Sequence, residues 1–139
     1  MVRAYKPDII IPTFLDVNGQ HGHHRSITRA TIEAYDKSND PEMFPDDNFG
    51  PWKISQIFLP AWSGGGGSYD DEEDPPKATH SIDVGNFNHI YGGTYNQIGE
   101  WSRSYHATQN IGKLAYEDKM EVPLHLLKGT YAVSYTHLT

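Results

Sequence analysis

Short apolar runs alternate with amphipathic stretches along the chain, and the alternation predicts strand, loop and helix in succession. The first run, DIIIPTF at 8–14, is continuous and β-branched, which predicts a strand buried on both faces of a sheet and ending at Pro12. Ile27, Ala30, Thr31, Ala34 and Tyr35 then recur at helical spacing, predicting a helix that buries this stripe and stops near Asn39-Asp40-Pro41. Together they read as a βα unit. ISQIFL at 54–59 and THSIDV at 79–84 predict two further strands. Between them, SGGGGSYDDEEDPP is low in complexity and predicts a solvated acidic loop over 63–77. A second helix is expected from Thr94, where Thr94 and Gln97 have the spacing of a capping box. Ile98, Trp101, Tyr105 and Thr108 follow on one face of it, and Gly112 is its stop. The fold class read from this succession is α/β.

Composition narrows the function classes. A chain of 139 residues is one domain's worth or part of a larger domain, and 37% hydrophobic with 12% aromatic residues suits a folded protein. The net charge of −7 owes five negatives to Asp70, Asp71, Glu72, Glu73 and Asp74, so the remainder is nearly balanced. No basic patch invites nucleic acid. The absence of cysteine removes disulfides and thiolate metal sites, leaving histidines and carboxylates as possible ligands. No run approaches the roughly 20 apolar residues of a membrane helix, and Met1-Val2-Arg3 opens no signal peptide. A soluble protein is expected, with cytoplasmic and exported locations both open.

The candidate chemistry gathers in GQHGHHR at 19–25, where His21, His23 and His24 stand between the first strand and the first helix. In an open α/β sheet, ligands collect where a strand hands over to a helix. His21 and His24 turn toward one point if His24 enters the first helical turn, and His23 then points elsewhere. Two readings fit this spacing. One is a zinc site, which in its catalytic form takes three protein ligands and a water. The other is a polar loop whose histidines cap the helix or face water. A third arrangement, an H-x-H pair at His21 and His23 on a barrel strand, is opposed by the helical stripe directly after His24.

The stretch YKPDIIIPTFLDVNGQHGHHRSITRA at 5–30 resembles the PIG-L/LmbE-like zinc N-deacetylases, in which a buried strand runs into H-P-D-H followed by R-A. Here that motif reads His21-Gly22-His23-His24, and TYNQIGEWSRSYHATQNIG at 94–112 resembles a C-terminal helix of larger bacterial members. The resemblance implies a Rossmann-like three-layer fold. It also implies a hydrolase that removes an acetyl group from an N-acetylated amino sugar or similar small-molecule amide, using Zn2+ or another divalent metal. His24 would be the metal ligand and His21 the catalytic histidine that polarises the carbonyl or protonates the leaving amine. His23 stands where the family carries an acidic residue that orients the first histidine, so His23 and Asp16 are supporting candidates. Trp62 is the candidate substrate contact, by stacking on a sugar ring. The family's A-H-P-D-D-E motif, with two further ligands and the base, does not occur in the chain. Residues 1–128 are accordingly expected to be the C-terminal part of a catalytic domain without its first strands. Its metal would be incompletely ligated and the chain inactive by itself.

VSYTHLT at 133–139 resembles a translated transposon end of the kind used in sequencing adapters, which implies a non-native tail over 129–139. The alternation of Tyr131, Val133 and Tyr135 also fits a strand. The rival function keeps the fold and dispenses with the metal: a non-catalytic carbohydrate-binding relative that uses Trp62 and the tyrosine-rich surface.

Overall fold

The computed structural model describes residues 1–12, 16–46, 48–60, 76–106, 108 and 120–130. In chain order its elements are α1 (Val2–Tyr5), β1 (Ile9–Ile10), α2 (Gly22–Lys37), β2 (Gln56–Pro60), β3 (His80–Asp83), β4 (Phe87–Asn88), β5 (Gly93–Thr94), α3 (Tyr95–Ser104) and β6 (Glu121–Lys128). The chain is mixed α/β and divides into two units. Unit 1 comprises Met1–Thr79 and Leu124–Thr139, and unit 2 comprises His80–Pro123.

In unit 1, α1 is a single turn closed by Lys6 in the left-handed region (φ 50, ψ 52), and Pro7 directly after it has no N–H with which to continue the helix. The chain then enters β1, which pairs parallel with β2, Ile9 beside Gln56 and Ile10 beside Ile57. β6 runs antiparallel to β2, with Phe58 beside Leu126 and Leu59 beside His125, and a register shift between Ile57 and Phe58. The sheet is therefore mixed. Its core is Ile54, Ile57, Phe58, Leu59 and Leu124. Burial of three consecutive residues, 57–59, marks a strand covered on both faces.

That property belongs to β2, and the expectation for the first strand is corrected. Ile9 and Ile11 are each 50% exposed. β1 is only two residues long and, among the described residues, pairs along one edge, whereas β2 is paired along both. Residues 13–15 of the predicted strand lie outside the described residues. β6 is not among the predicted strands, because Pro123 interrupts its alternation of Val122, Leu124 and Leu126.

Helix α2 occupies the predicted span, and its inner face keeps Thr31, Ala34 and Tyr35 of the predicted stripe but not Ile27 and Ala30. Thr28, Thr31 and Ser38 are buried and His24 and Tyr35 half-buried, a stripe at steps of four and three. Ile27, expected inside, is 53% exposed, and Ala30 is exposed as well. Threonine substitutes for an apolar residue here because its hydroxyl can be satisfied within the helix: Thr31 Oγ1 donates to the Ile27 carbonyl at 2.8 Å. The far end of α2 is held by buried Arg3, whose Nε donates to the Ser38 carbonyl (3.0 Å) and Nη2 to the Asp40 carbonyl (2.5 Å). A cation on the carbonyl end of a helix also complements its dipole. Ser38 and Trp52 exchange hydrogen bonds, and Trp52 Nε1 donates to the Pro7 carbonyl at 2.8 Å. After β6, Gly129 adopts φ +104 and the Thr130 carbonyl accepts from Gln56 Nε2 at 3.0 Å. Residues 131–139 of the expected tail lie outside the described residues.

In unit 2, β3 matches the predicted strand at 79–84. The Val84 N–H donates to the Met120 carbonyl at 2.8 Å, and Ser81 Oγ to the Glu121 carboxylate. β4 and β5 form a hairpin with Phe87 opposite Thr94 and Asn88 opposite Gly93. Its turn is capped by Asn88 Oδ1, which accepts from the N–H groups of Ile90 and Tyr91. The capping box of α3 is present: Thr94 Oγ1 accepts from the Gln97 N–H, and Gln97 Oε1 from the Thr94 N–H. The helix ends at Ser104, short of Gly112, which lies outside the described residues. It buries no residue, and Trp101 (51% exposed) and Tyr105 (89%) show that the expected stripe is not a core face. Among the described residues no helix is long and apolar enough to cross a membrane.

Candidate functional site

The approach to α2 begins with a turn in which the Gln20 N–H returns to the Val17 carbonyl (3.4 Å) and Gly19 takes φ 87, a conformation suited to glycine. His21 follows as the N-cap residue, in extended backbone (φ −62, ψ 142). Its carbonyl accepts the first helical hydrogen bond, from the Arg25 N–H at 3.1 Å. His24 is thus the third helical residue. Positions three apart across a helix start share a side, and the structure brings the two rings together, with centroids 5.8 Å apart and planes inclined by 21°.

His23 is exposed, and its position between the two puts it on a different side of the first turn. Asp16 is committed elsewhere. Its Oδ1 accepts from Arg25 Nε at 2.7 Å and its Oδ2 from Arg29 Nε at 2.5 Å. Trp62 and the acidic residues 70–74 lie outside the described residues. His80 begins β3, and His89 packs edge-on against Phe87 at 5.2 Å, both in unit 2.

Sequence reasoning missed Arg25 and Arg29, although the signal was present. His21, Arg25 and Arg29 fall at i, i+4 and i+8, a row along one flank of α2. The Asp16 carboxyl is held below the usual carboxylate range, first by the hydrogen bond from Arg29 and then by that from Arg25. The same contact raises Arg29. A carboxyl depressed by folding contributes stability that is fully present above the unfolded value of about 3.9 and is lost as pH falls through the folded value. The melting advantage of the wild type over Asp16→Asn is therefore expected to be constant above about pH 5 and to shrink on acidification below about pH 4. Melting curves of both proteins across that range would refute the clamp if the gap stayed fixed.

Among the described residues, no three His, Asp or Glu side chains gather to hold a metal ion. The donors present fit part of a zinc centre: imidazole nitrogen is a regular zinc ligand, but a catalytic site takes three protein ligands. No protein family, curated protein or solved structure matches the chain.

Proposed function

We propose that the region around the start of α2 belongs to a zinc-dependent hydrolase that removes an acetyl group from an N-acetylated amino sugar or similar amide. The mixed α/β arrangement of unit 1 would then be part of a Rossmann-like three-layer domain. The observation that supports this reading is the pairing of His21 and His24 at the entry to a helix, the two positions at which the resemblance to the LmbE-like deacetylases implies a catalytic histidine and a metal ligand.

In this proposal His24 offers one imidazole nitrogen to the metal, and the remaining ligands are groups other than the described residues. Zinc, when bound, lowers the pKa of water and polarises a carbonyl. His21, one turn back, holds a proton on a ring nitrogen and delivers it to the departing amine, so that the amide nitrogen leaves as a neutral group. The N-cap position suits that work because its backbone is fixed by the helix while the residue is exposed. Trp62 is the proposed platform for the sugar.

Zinc titration by calorimetry tests the assignment. Loss of even an outer-shell partner costs about 10–100-fold in metal affinity, so His24→Ala is expected to weaken zinc binding by at least about tenfold, with His23→Ala unchanged. Affinity should fall on acidification, because a ligating imidazole must be unprotonated. Acetate release from N-acetylglucosamine by this chain alone is expected to stay at the level of zinc in buffer. Equal zinc binding by wild type and His24→Ala would remove the metal role. Sugar binding indifferent to zinc would favour the carbohydrate-binding alternative.

A further inference from the structure

Asp16, Arg25 and Arg29 make an arrangement that the hydrolase reading does not use. Each carboxylate oxygen takes the Nε–H of a different arginine, at 2.7 and 2.5 Å. Among the described residues these are the only hydrogen bonds that either guanidinium side chain makes, which leaves the Nη groups of both without a protein acceptor there. Arg25 and Asp16 are largely covered, with side chains 32% and 23% exposed, while Arg29 is 64% exposed.

A clamp whose task was to pin residue 16 to the helix would need one arginine. The second brings a further positive charge to the same flank and spends a single Nε–H on Asp16. The carboxylate offsets the repulsion between the two guanidiniums and fixes both long side chains, removing part of the rotamer entropy that binding a ligand otherwise costs. The result is a local excess of one positive charge in a chain of net charge −7. It lies in line with His21, four residues before Arg25.

We propose that Arg25 and Arg29, aligned by Asp16, bind the phosphate group of a small-molecule ligand beside His21. A planar carboxylate is satisfied by the fork of one guanidinium. Two guanidiniums one helical turn apart present donors from two directions, which suits the three terminal oxygens of a phosphate ester. A phosphorylated sugar seated there would lie along the flank of α2 that carries His21. The phosphate site stands apart from the hydrolase reading and its test leaves zinc out, while the choice of a sugar ester rests on that reading.

The experiment titrates the full chain with glucose 6-phosphate, inorganic phosphate and glucuronate, followed by calorimetry and, for the phosphates, by phosphorus NMR. Saturable binding of the two phosphates is expected, with glucuronate at least about tenfold weaker. Arg29→Gln should weaken glucose 6-phosphate about tenfold, and the Arg25→Gln/Arg29→Gln pair should abolish saturation. Arg29→Lys retains the charge at a mostly exposed position, so its fold is not at risk; it should bind more weakly than wild type because an ammonium lacks the guanidinium geometry. A wild type that does not saturate with either phosphate would overturn the site. So would an Arg25→Gln/Arg29→Gln protein that keeps its melting temperature and binds as well as the wild type. Glucuronate binding as tight as glucose 6-phosphate would overturn the phosphate assignment, and preference for inorganic phosphate over the ester would overturn the phosphorylated-sugar ligand.

Discussion

Ile57→Ala is expected to remove a large share of the stability of unit 1. Ile57 has no exposed surface, lies beside Ile10 on one edge of β2 and beside Lys128 on the other, and is one of five buried apolar residues in the described core. Truncation of a fully buried isoleucine to alanine costs about 2–5 kcal/mol, from lost transfer energy and the cavity left behind. A position clamped between two strands collapses poorly, so the upper half of that range applies. A domain of this size has about 5–15 kcal/mol to lose. Ile57→Val, which removes one methyl group, should cost about 0.5–1.5 kcal/mol and serves as the graded partner. Urea unfolding followed by tryptophan fluorescence, to which Trp52, bonded to the Pro7 carbonyl ahead of β1, contributes, reads both. An alanine variant within about 0.5 kcal/mol of wild type would mean that β2 is not the centre of the core.

Gly129→Ala is expected to be nearly as damaging, for a backbone reason. Gly129 sits at φ +104, where a side chain is strained at a cost of about 1–3 kcal/mol. A Cβ there would also press into the Ser55 carbonyl oxygen and lie 3.2 Å from the Gln56 Cα. Both are backbone atoms at the entry to β2 and cannot swing aside. Relief requires residues 129 and 130 to move away, which breaks the bond from Gln56 Nε2 to the Thr130 carbonyl. Gly50 supplies the control, since it has φ +70 and a Cβ added to it would meet nothing within 4 Å. Gly50→Ala should therefore show the strain alone. If the two variants melt together, close approach contributes nothing at Gly129.

The elements that the sequence announced were those with local causes. The span of α2, the Thr94–Gln97 capping box and the strands at β2 and β3 follow from periodicity and from side chains a few residues apart. What it hid depends on distant partners. Hydrophobicity chose Ile27 and Ala30 for the inner face of α2 beside Thr31, yet the buried stripe passes through Thr28 and Thr31, and the Thr31 hydroxyl is satisfied by the helix itself. Burial of β2 instead of β1 depends on where β6 pairs, and β6 is separated along the chain from β2 by most of unit 2. At the site, the histidine pair was legible because positions 21 and 24 straddle a helix start. The spacing of the arginine pair was legible too, but its meaning was not, because that comes from Asp16, in the loop nine residues before Arg25.

The pairing of β2 also sets how fast unit 1 assembles. Trp52 reaches back 45 residues to Pro7, and Gln56 reaches forward 74 residues to Thr130. Contacts this distant close long chain loops before they return any stabilisation, which slows folding by orders of magnitude relative to helical proteins. Helix α2 forms and melts within about a microsecond, but sixteen residues are marginal in isolation and need the rest of the unit to persist. The row of His21, Arg25 and Arg29 therefore flickers into register many times during refolding and becomes permanent only when the sheet closes. A phosphate or metal probe added to the refolding chain should gain its signal with the slow phase.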